Sequence, residues 1–527
     1  MPLKSDAEAS TPTETETVEE RPSERPVKLD KHGLPLVPQP SDSKDDPLNW
    51  PPLVKHGILL QASLLTLMGT IGAATINPAF VPLAAAFRIT PVQASYELTV
   101  WIVFAAVVPV FLVPLANVYG RLPFYVLGNL LAAATNLAAG HCNQWSALLA
   151  TRALNGIGAG CAAALGPATV CDLYFLHERG LFMGVYTFCV TNAPHLAPLA
   201  GGSLRRTWVG ESASRSLYSY IQFGLFAITF FCLPETIYFR QEASPTESSM
   251  PVGTFADKLL LRRTRGHRTS GRRRKRRLSL TSFAAPFLTM RYLSILLPAL
   301  YYMTAFAYGS LLFGATGSVV FRGIYGFTTA QTGMIISIPL VVGCLLGECS
   351  AGWFTDWLVY RDAAARRKKM LQQLRNNDDE GVVVRRRPEP RLDALWLALL
   401  VPVGVVVQGV CISHAERTGW VANAVGMAIA SFGLQVAGTV TYTYCTDCYK
   451  PQAAEISVVL TLFRHIYCGL VPFYAVPLAE KIQYQYAWLL FACLNVAFLA
   501  PLLILRLYGE RIRSSKWQPK PSFHPDI

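Results

Sequence analysis

A succession of long apolar stretches constrains this chain more than any other feature. A helix needs roughly 20 mostly apolar residues to cross the hydrocarbon core of a bilayer, and twelve stretches of about that length occur. The chain is therefore predicted to be an all-α polytopic membrane protein with twelve spans in two sets of six. The first six are predicted at His56–Leu83, Ser95–Ala116, Phe124–Gly140, Ser146–Val170, Gly180–Leu204 and Tyr218–Leu233. The second six are predicted at Tyr292–Phe321, Thr332–Leu358, Ala394–Ser413, Trp420–Tyr442, Ser457–Leu478 and Tyr486–Leu507.

The composition agrees with a membrane protein and excludes several other classes. Hydrophobic residues make up 52% of the chain and charged residues 15%, whereas soluble domains carry about 25% charged residues. Most of the 12 cysteines lie in apolar runs, where a thiol behaves as a small hydrophobe. Cys445 and Cys448 form a lone C-x-x-C without a second pair, which is weak support for a metal. We therefore expect no disulfide framework, no metal and no cofactor.

The distribution of positive charge predicts the orientation. The formal net charge is +14; twelve Lys/Arg lie between Glu235 and Met290, and ten lie between Tyr360 and Asp393. The six connections predicted on the opposite side of the membrane together carry only seven Lys/Arg. Because Lys and Arg concentrate in cytosolic loops, both termini are predicted to be cytosolic. No basic stripe is interleaved with base-stacking aromatics, so a nucleic-acid partner is not expected.

The same pattern divides the chain into five predicted regions. Residues 1–50 form a disordered cytosolic tail, 51–235 the first six-helix bundle, 236–290 a basic cytosolic connector, 291–507 the second bundle, and 508–527 a cytosolic tail. No region is left for a large soluble catalytic domain.

Ionisable residues inside spans are costly and therefore suggest function. Arg152 lies in the fourth span, in RALNGIGAG, and either snorkels to the interface or is buried facing a central cavity. Glu348 interrupts an otherwise apolar run in the eighth span. Both are candidates for proton or substrate coupling.

The fifth span carries the sequence TNAPHLAPLAGG, Thr191 to Gly202. Its prolines, including Pro198, bend the helix, while Gly201 and Gly202 allow close packing. An unperturbed histidine titrates near neutral pH, so His195 is a candidate proton carrier. The alternative is that the histidine simply makes a hydrogen bond.

Polar and aromatic residues in the other spans are candidates to line a cavity for a large, partly apolar molecule. The alternative for the tyrosines is packing between helices. Arg464 is a fourth coupling candidate, and it lies too far from Glu455 on the same helix to pair with it. The candidate cavity residues are Asn77, Asn155, Asn192, Tyr301, Tyr302, Tyr308, Gln435 and Tyr442.

Two segments look like copies of one unit. Val113-x-x-x-Asn117 and Gly352-x-x-x-Asp356 follow apolar runs at the same point of each six-helix half. Such an internal repeat is the signature of a secondary transporter.

These segments resemble the major facilitator superfamily, and within it the fungal drug:proton antiporter-like branch. Arg152, Gly156 and Gly158 match the Arg-x-x-x-Gly-x-Gly signature of the fourth helix. Segments DPLNWP, DLYFLHERG and LPETIY are similar to fungal members almost word for word, and the resemblance covers roughly residues 45 to 510. Further matches to the antiporter signature and to the turn after the second helix are Gly184, Pro198, Gly201, Gly202, Gly120 and Arg121.

The chain also departs from the family pattern. Asn117 and Val118 stand where the family carries an acid and a basic residue, and Arg205 to Leu217 does not resemble the family. The resemblance implies a cytosolic charge network that latches the outward-open state. Here that network is expected to survive in part, through Arg121, Asp172, Arg179 and Glu235.

The resulting prediction is a proton-coupled transporter of small organic molecules that works by alternating access. Export of a drug, toxin or secondary metabolite is favoured; no ATP-binding P-loop occurs. The alternatives are proton-symport uptake of a nutrient such as a polyamine, and a non-transporting nutrient sensor on the same fold. The expected partners are a small organic substrate, protons and the lipid bilayer. The protein is expected to be a monomer in the plasma membrane and not an enzyme.

Overall fold

The structure, a computed structural model, describes residues 28, 36, 38–44, 46–77, 80–175, 178–207, 210–238, 280–374, 388–449 and 452–514. Most of the predicted N-terminal tail, nearly all of the basic connector and the end of the C-terminal tail lie outside these residues. Residues 202–207 and 210–217 belong to helices, but their side chains lie outside the described part.

All regular structure within the described ranges is helical. In the first half the helices are α1 Pro52–Ala74, α2 Phe80–Phe87, α3 Pro91–Tyr119, α4 Leu122–Ala139, α5 Trp145–Leu173, α6 Arg179–Thr207 and α7 Gly210–Cys232. The others are α8 Leu280–Thr289, α9 Leu293–Gly323, α10 Thr329–Leu374, α11 Glu389–Ser413, α12 Ala415–Cys448, α13 Ala453–Ile482 and α14 Tyr484–Ser514.

Each of the twelve predicted spans coincides with one of these helices, namely α1, α3 to α7 and α9 to α14. Within the described ranges, ten of the twelve are long and apolar enough to cross a membrane. The described apolar part of α7 is the shorter stretch Tyr218–Cys232. The prediction of an all-α membrane protein is confirmed.

Several predicted boundaries differ from the structure, and two of them are wrong by nine residues or more. The first span was expected to reach Leu83, but α1 ends at Ala74 and the separate helix α2 begins at Phe80. Pro78 in the intervening sequence lacks a backbone N–H and disfavours helical geometry at the residue before it. The loop expected from Tyr360 is helical as far as Leu374. Good helix formers and an Asp362–Arg366 ion pair at 2.9 Å stabilise this extension of α10.

Helix packing brings specific elements together. In the first half α5 packs against α1, α3 and α4; in the second half α12 packs against α10 and α11, and α11 packs against α14. Between the halves, α6 packs against α10 and α12, while α13 packs against α3 and α5. Outward-facing side chains such as Leu60, Phe111, Leu127, Ile338 and Leu507 are exposed and apolar, as lipid contact requires.

Candidate transport site

Arg152 of α5 is buried, with 2% of its surface exposed. Its Nε donates to Oε1 of Glu97 on α3 at 2.5 Å, and its Nη1 donates to Asn136 Oδ1 and the Gly72 carbonyl, each at 3.3 Å. Gly156 permits this approach, because a Cβ there would lie 2.6 Å from the Trp101 carbonyl oxygen. Of the two interpretations of Arg152, the geometry fits the buried cation.

The asparagines predicted to line a cavity occupy different surroundings. Asn155 accepts from Trp101 Nε1 at 3.0 Å and donates to the Ala132 carbonyl at 2.9 Å, so it belongs to the same α3–α4–α5 cluster as Arg152. Asn192 donates to the Phe188 carbonyl one turn earlier, at 3.0 Å. Asn77 is buried beside Gly314 of α9. The three residues therefore do not form one cluster, and their role as cavity residues stays a prediction.

Glu348 of α10 lies where the two halves meet. Its Oε2 accepts from Gln435 Nε2 and from Thr439 Oγ1 of α12, both at 2.7 Å. Gly184 of α6 faces the same carboxylate so closely that a Cβ there would lie 1.9 Å from Oε1. Thr187, one turn along α6, is 3.2 Å from the Thr439 hydroxyl. A titratable carboxylate is thus held by neutral donors between α6, α10 and α12.

His195 also connects the halves. Its Nε2 lies 2.7 Å from Ser310 Oγ, and its Nδ1 lies 3.6 Å from Cys344 Sγ. Ser310 belongs to a π-helical turn, Ala307–Leu311, inside α9; such turns often occur at functional sites. The sulfur of Cys344 is in turn 2.9 Å from Ser431 Oγ of α12. The geometry fits the interpretation of His195 as a hydrogen-bonded histidine.

Arg464 of α13 sits among aromatic rings of α9. Its Nη1 donates to the Tyr302 hydroxyl at 3.4 Å, and its guanidinium carbon lies 4.7 Å from the Phe306 ring centroid. Tyr442 packs edge-on against Tyr302 with centroids 5.7 Å apart. Tyr301 is fully buried next to it in sequence. The expectation that Arg464 and Glu455 do not pair with each other agrees with these contacts.

A second aromatic group lies further along α9. The hydroxyls of Tyr308 and Tyr467 are 2.5 Å apart, and Tyr474 donates to Tyr308 at 3.4 Å. Tyr308 also stacks on Phe491, with centroids 5.0 Å apart. For Tyr308 the contacts fit packing between helices, which was the alternative to a cavity role.

The charge network expected in the first half is present around the α3–α4 turn. Arg121 pairs with Asp172 at 2.5 Å. The Glu235 carboxylate accepts the backbone N–H groups of Arg121 and Leu122, at 3.0 and 3.1 Å. Gly120 has φ of +99° and lies against this carboxylate, so only glycine fits there without strain. Arg179 donates to two backbone carbonyls rather than to an acid in this network.

The second half repeats this arrangement. Arg391 at the start of α11 pairs with Asp356 of α10 and with Asp447 at the end of α12, each at 2.7 Å. Arg121 likewise starts a helix and pairs with an acid at the end of the next helix. Gly352 lies one turn before Asp356 and near Glu348. Asp447 is part of this ion-pair network.

Two contacts join the repeats across the halves. Asn117 Nδ2 donates to Glu455 Oε1 of α13 at 3.1 Å. In the symmetric position, the Asp356 carboxylate lies against Gly180 at the start of α6. The residue that departs from the family pattern therefore still reaches the opposite half, with the acid supplied by α13.

The sequence comparisons decide the family. A sequence profile described as Major Facilitator Superfamily matches residues 62–372, more than half of the 527 residues. The chain belongs to this superfamily. Efflux pump radE of Floropilus chiversii is 27% identical over 496 residues, covering 90% of this chain and 84% of that protein. MFS-type transporter atr4 of Stereocaulon alpinum is 26% identical over 480 residues, covering 90% and 81%.

A solved structure supports the same fold. The crystal structure of the human organic anion transporter MFSD10 (TETRAN) superposes with a TM-score of 0.56. The alignment covers 86% of this chain and 100% of that one at 15% identity, and a likeness at that identity concerns the fold alone. This major facilitator protein is a multi-pass integral membrane protein and a secondary transporter of small molecules, not an enzyme.

Sequence reasoning missed three partners in this major facilitator site. Glu97 stands at the edge of the second span, where an acid looks like a boundary residue. Arg391 was counted among loop charges, although the Arg-Leu pair of Arg121–Leu122 recurs there as Arg391–Leu392. Glu455 was noticed, but its partner across the halves was not. No cluster of three or more metal-ligating side chains occurs in the described part of the chain.

Glu235→Gln is expected to lower the free energy of unfolding by about 1–2 kcal/mol, because a charge-assisted acceptor of backbone N–H groups is lost. Chemical unfolding of the purified protein measures this. The exposed Glu480 offers the matched control Glu480→Gln, which should change stability little. Equal effects of the two substitutions would contradict the assignment of Glu235 as the anchor of the α3–α4 turn.

Proposed function

We propose that this protein exports a small organic molecule, of drug, toxin or secondary-metabolite type, in exchange for protons. The observation that carries the proposal is the Glu348 carboxylate, which neutral donors hold between α6 of one half and α10 and α12 of the other. The relatives add direction, since one of them is named an efflux pump.

The proposed coupling follows from the cost of burying charge. An ionised carboxylate is expensive to keep out of water without a cation. Protonation of Glu348 removes that cost when the halves close around it, and opening to the other side rehydrates the carboxylate and releases the proton. In this scheme Arg152 and Arg464 are further coupling residues, and Gln435, Tyr302 and Tyr442 face the substrate.

The remaining architecture is part of the same proposal. Residues 51–235 and 291–507 are taken as the two rocking units, with both termini cytosolic and a monomer in the plasma membrane. In this proposal the interface between the units is formed by α6 with α10 and α12, and by α13 with α3 and α5. Asn117–Glu455 and Gly180–Asp356 would be the links that open when the predicted cytosolic side separates.

Deletion of the gene tests the direction of transport. Untargeted mass spectrometry of cells and medium should show at least one small organic metabolite retained in the deletion strain and released again on complementation. An unchanged distribution of all metabolites, or loss of uptake from the medium instead, would contradict export.

Glu348→Gln tests the coupling. In the deletion strain complemented with this variant, the rate of gradient-driven export should be at least about tenfold lower than with the wild-type protein, which corresponds to 1.4 kcal/mol. The reason is that the amide of glutamine cannot exchange a proton. Counterflow exchange in proteoliposomes, which needs no net proton movement, should persist. The exposed acid Glu416 provides the control Glu416→Gln, which should leave both activities intact. Unimpaired gradient-driven export in Glu348→Gln would overturn the role of Glu348.

A further inference from the structure

Arg464 differs from the other buried arginines in its partners. Arg121, Arg152 and Arg391 each pair with at least one carboxylate, and Arg179 donates to two backbone carbonyls. Arg464 has 4% of its surface exposed, and no carboxylate among the described residues lies within ion-pair distance of it. A guanidinium does not lose its proton inside a protein. Within the described ranges, the second half therefore holds a buried positive charge that no protein carboxylate neutralises directly.

The contacts that Arg464 does make leave its binding edge available. Among the described residues its one hydrogen bond, from Nη1 to the Tyr302 hydroxyl, is long at 3.4 Å, and Nε has no hydrogen-bond partner there. Phe306 covers the flat face of the guanidinium at 4.7 Å. Ring contacts compensate part of the burial cost of a cation, but they do not use the N–H groups. The edge of a guanidinium that carries Nε and Nη2 can form paired hydrogen bonds to a carboxylate.

The surroundings of Arg464 suit a flat ligand. The ring centroid of Tyr302 lies 6.0 Å from that of Phe306 and 5.7 Å from that of Tyr442, and both contacts are edge-to-face. These rings come from α9 and α12, while Arg464 comes from α13. A flat apolar body can pack among such rings while its charged end meets the guanidinium.

We propose that Arg464 is the recognition group for an organic anion, and that the transported substrate carries a carboxylate or similar delocalised negative charge on a flat apolar body. This inference rests on the proposed transport function and narrows its substrate class. Tyr302, Phe306 and Tyr442 would hold the apolar body.

A matched pair of probes tests the inference. The full-length protein in zwitterionic nanodiscs is titrated with 2-naphthoate and with its neutral analogue 2-naphthamide, and binding to empty nanodiscs is subtracted. Wild-type protein should bind the anion at least about tenfold more tightly than the amide, which is 1.4 kcal/mol. Equal binding of the two probes, or binding of neither, overturns the proposal.

Three variants attribute the preference to Arg464. Arg464→Gln should remove the preference for 2-naphthoate, and Arg464→Lys should retain part of it, because the charge stays while the paired hydrogen bonds are lost. The exposed Arg322 provides the control Arg322→Gln, which should leave the preference unchanged. A preference that persists in Arg464→Gln overturns the proposal.

Tyr302→Phe provides a second test of the inference if Arg464→Gln does not fold. It keeps the ring and the charge but removes the one hydroxyl bonded to Arg464, so the preference for the anion should be kept or increased. Its loss would mean that the phenol and not the guanidinium recognises the anion, which overturns the proposal. Export of a metabolite without a binding preference for the anion would support the proposed transport function and contradict only the inference about Arg464. An anion preference without metabolite export would support the role of Arg464 in anion recognition and contradict the proposed export function.

Discussion

Glu97→Gln is expected to lower the free energy of unfolding by about 3–5 kcal/mol, one of the largest effects of any single substitution in this protein. The change leaves the charge of Arg152 buried between α3, α4 and α5 without its counter-charge. Because the glutamine is nearly the same size, the loss reports electrostatics and not packing. Unfolding of the purified protein in mixed micelles of increasing denaturing detergent measures the effect.

A double-mutant cycle makes this result specific. Glu97→Gln combined with Arg152→Gln should cost less than the sum of the two single changes, since the second substitution removes the orphaned charge. Asp362–Arg366 is a matched control, because it is an ion pair on one helix with about 30% of each side chain exposed. Asp362→Asn should cost less than about 1 kcal/mol. Additive effects at Glu97 and Arg152 would contradict a coupled pair.

Gly201→Ala is expected to cost about 3 kcal/mol, at the upper end of the range for overpacking. A Cβ at Gly201 of α6 would lie 2.1 Å from the carbonyl oxygen of Thr75 at the end of α1, and a backbone atom cannot rotate away. The two helices must then separate, so transport should fall with stability. Thermal unfolding in nanodiscs and metabolite export by the complemented deletion strain give the two readouts.

Gly224→Ala provides a control of opposite sign. Gly224 lies in α7 with open space around the position of a Cβ. Alanine favours helix over glycine by up to about 1 kcal/mol, so this variant should be as stable as the wild type or more so. A loss of stability similar to that of Gly201→Ala would mean that α6 and α1 are not packed as described.

The helices could be predicted from the sequence because the free energies of transfer from water to the bilayer add over some twenty residues. An error at a single residue therefore has little effect on the sum for a whole span. Local chemistry decided the two wrong boundaries. Pro78 divides the first apolar run, and the charged stretch after Tyr360 contains strong helix formers. Hydropathy alone shows neither the break within the first apolar run nor the continuation of the helix into a charged stretch.

The site could be predicted only in part. Arg152 and Glu348 stand out because each is a charge in an apolar run. Their partners depend on how neighbouring helices are rotated and how deeply they are offset, which no single sequence encodes locally. Glu97, Gln435 and Thr439 were therefore not recognised as their partners. The role of each coupling residue remains a prediction.

The length of α10 has a mechanical consequence. Its 46 residues span about 69 Å at 1.5 Å per residue, so the part beyond Leu358 projects about 24 Å as a straight rod. A tilt of this helix by about 10° would sweep its end through roughly 4 Å. A hinge movement too small to see among the closely packed helices would thus be magnified at Leu374. A distance label near that tip would report the tilt as a displacement of several ångströms.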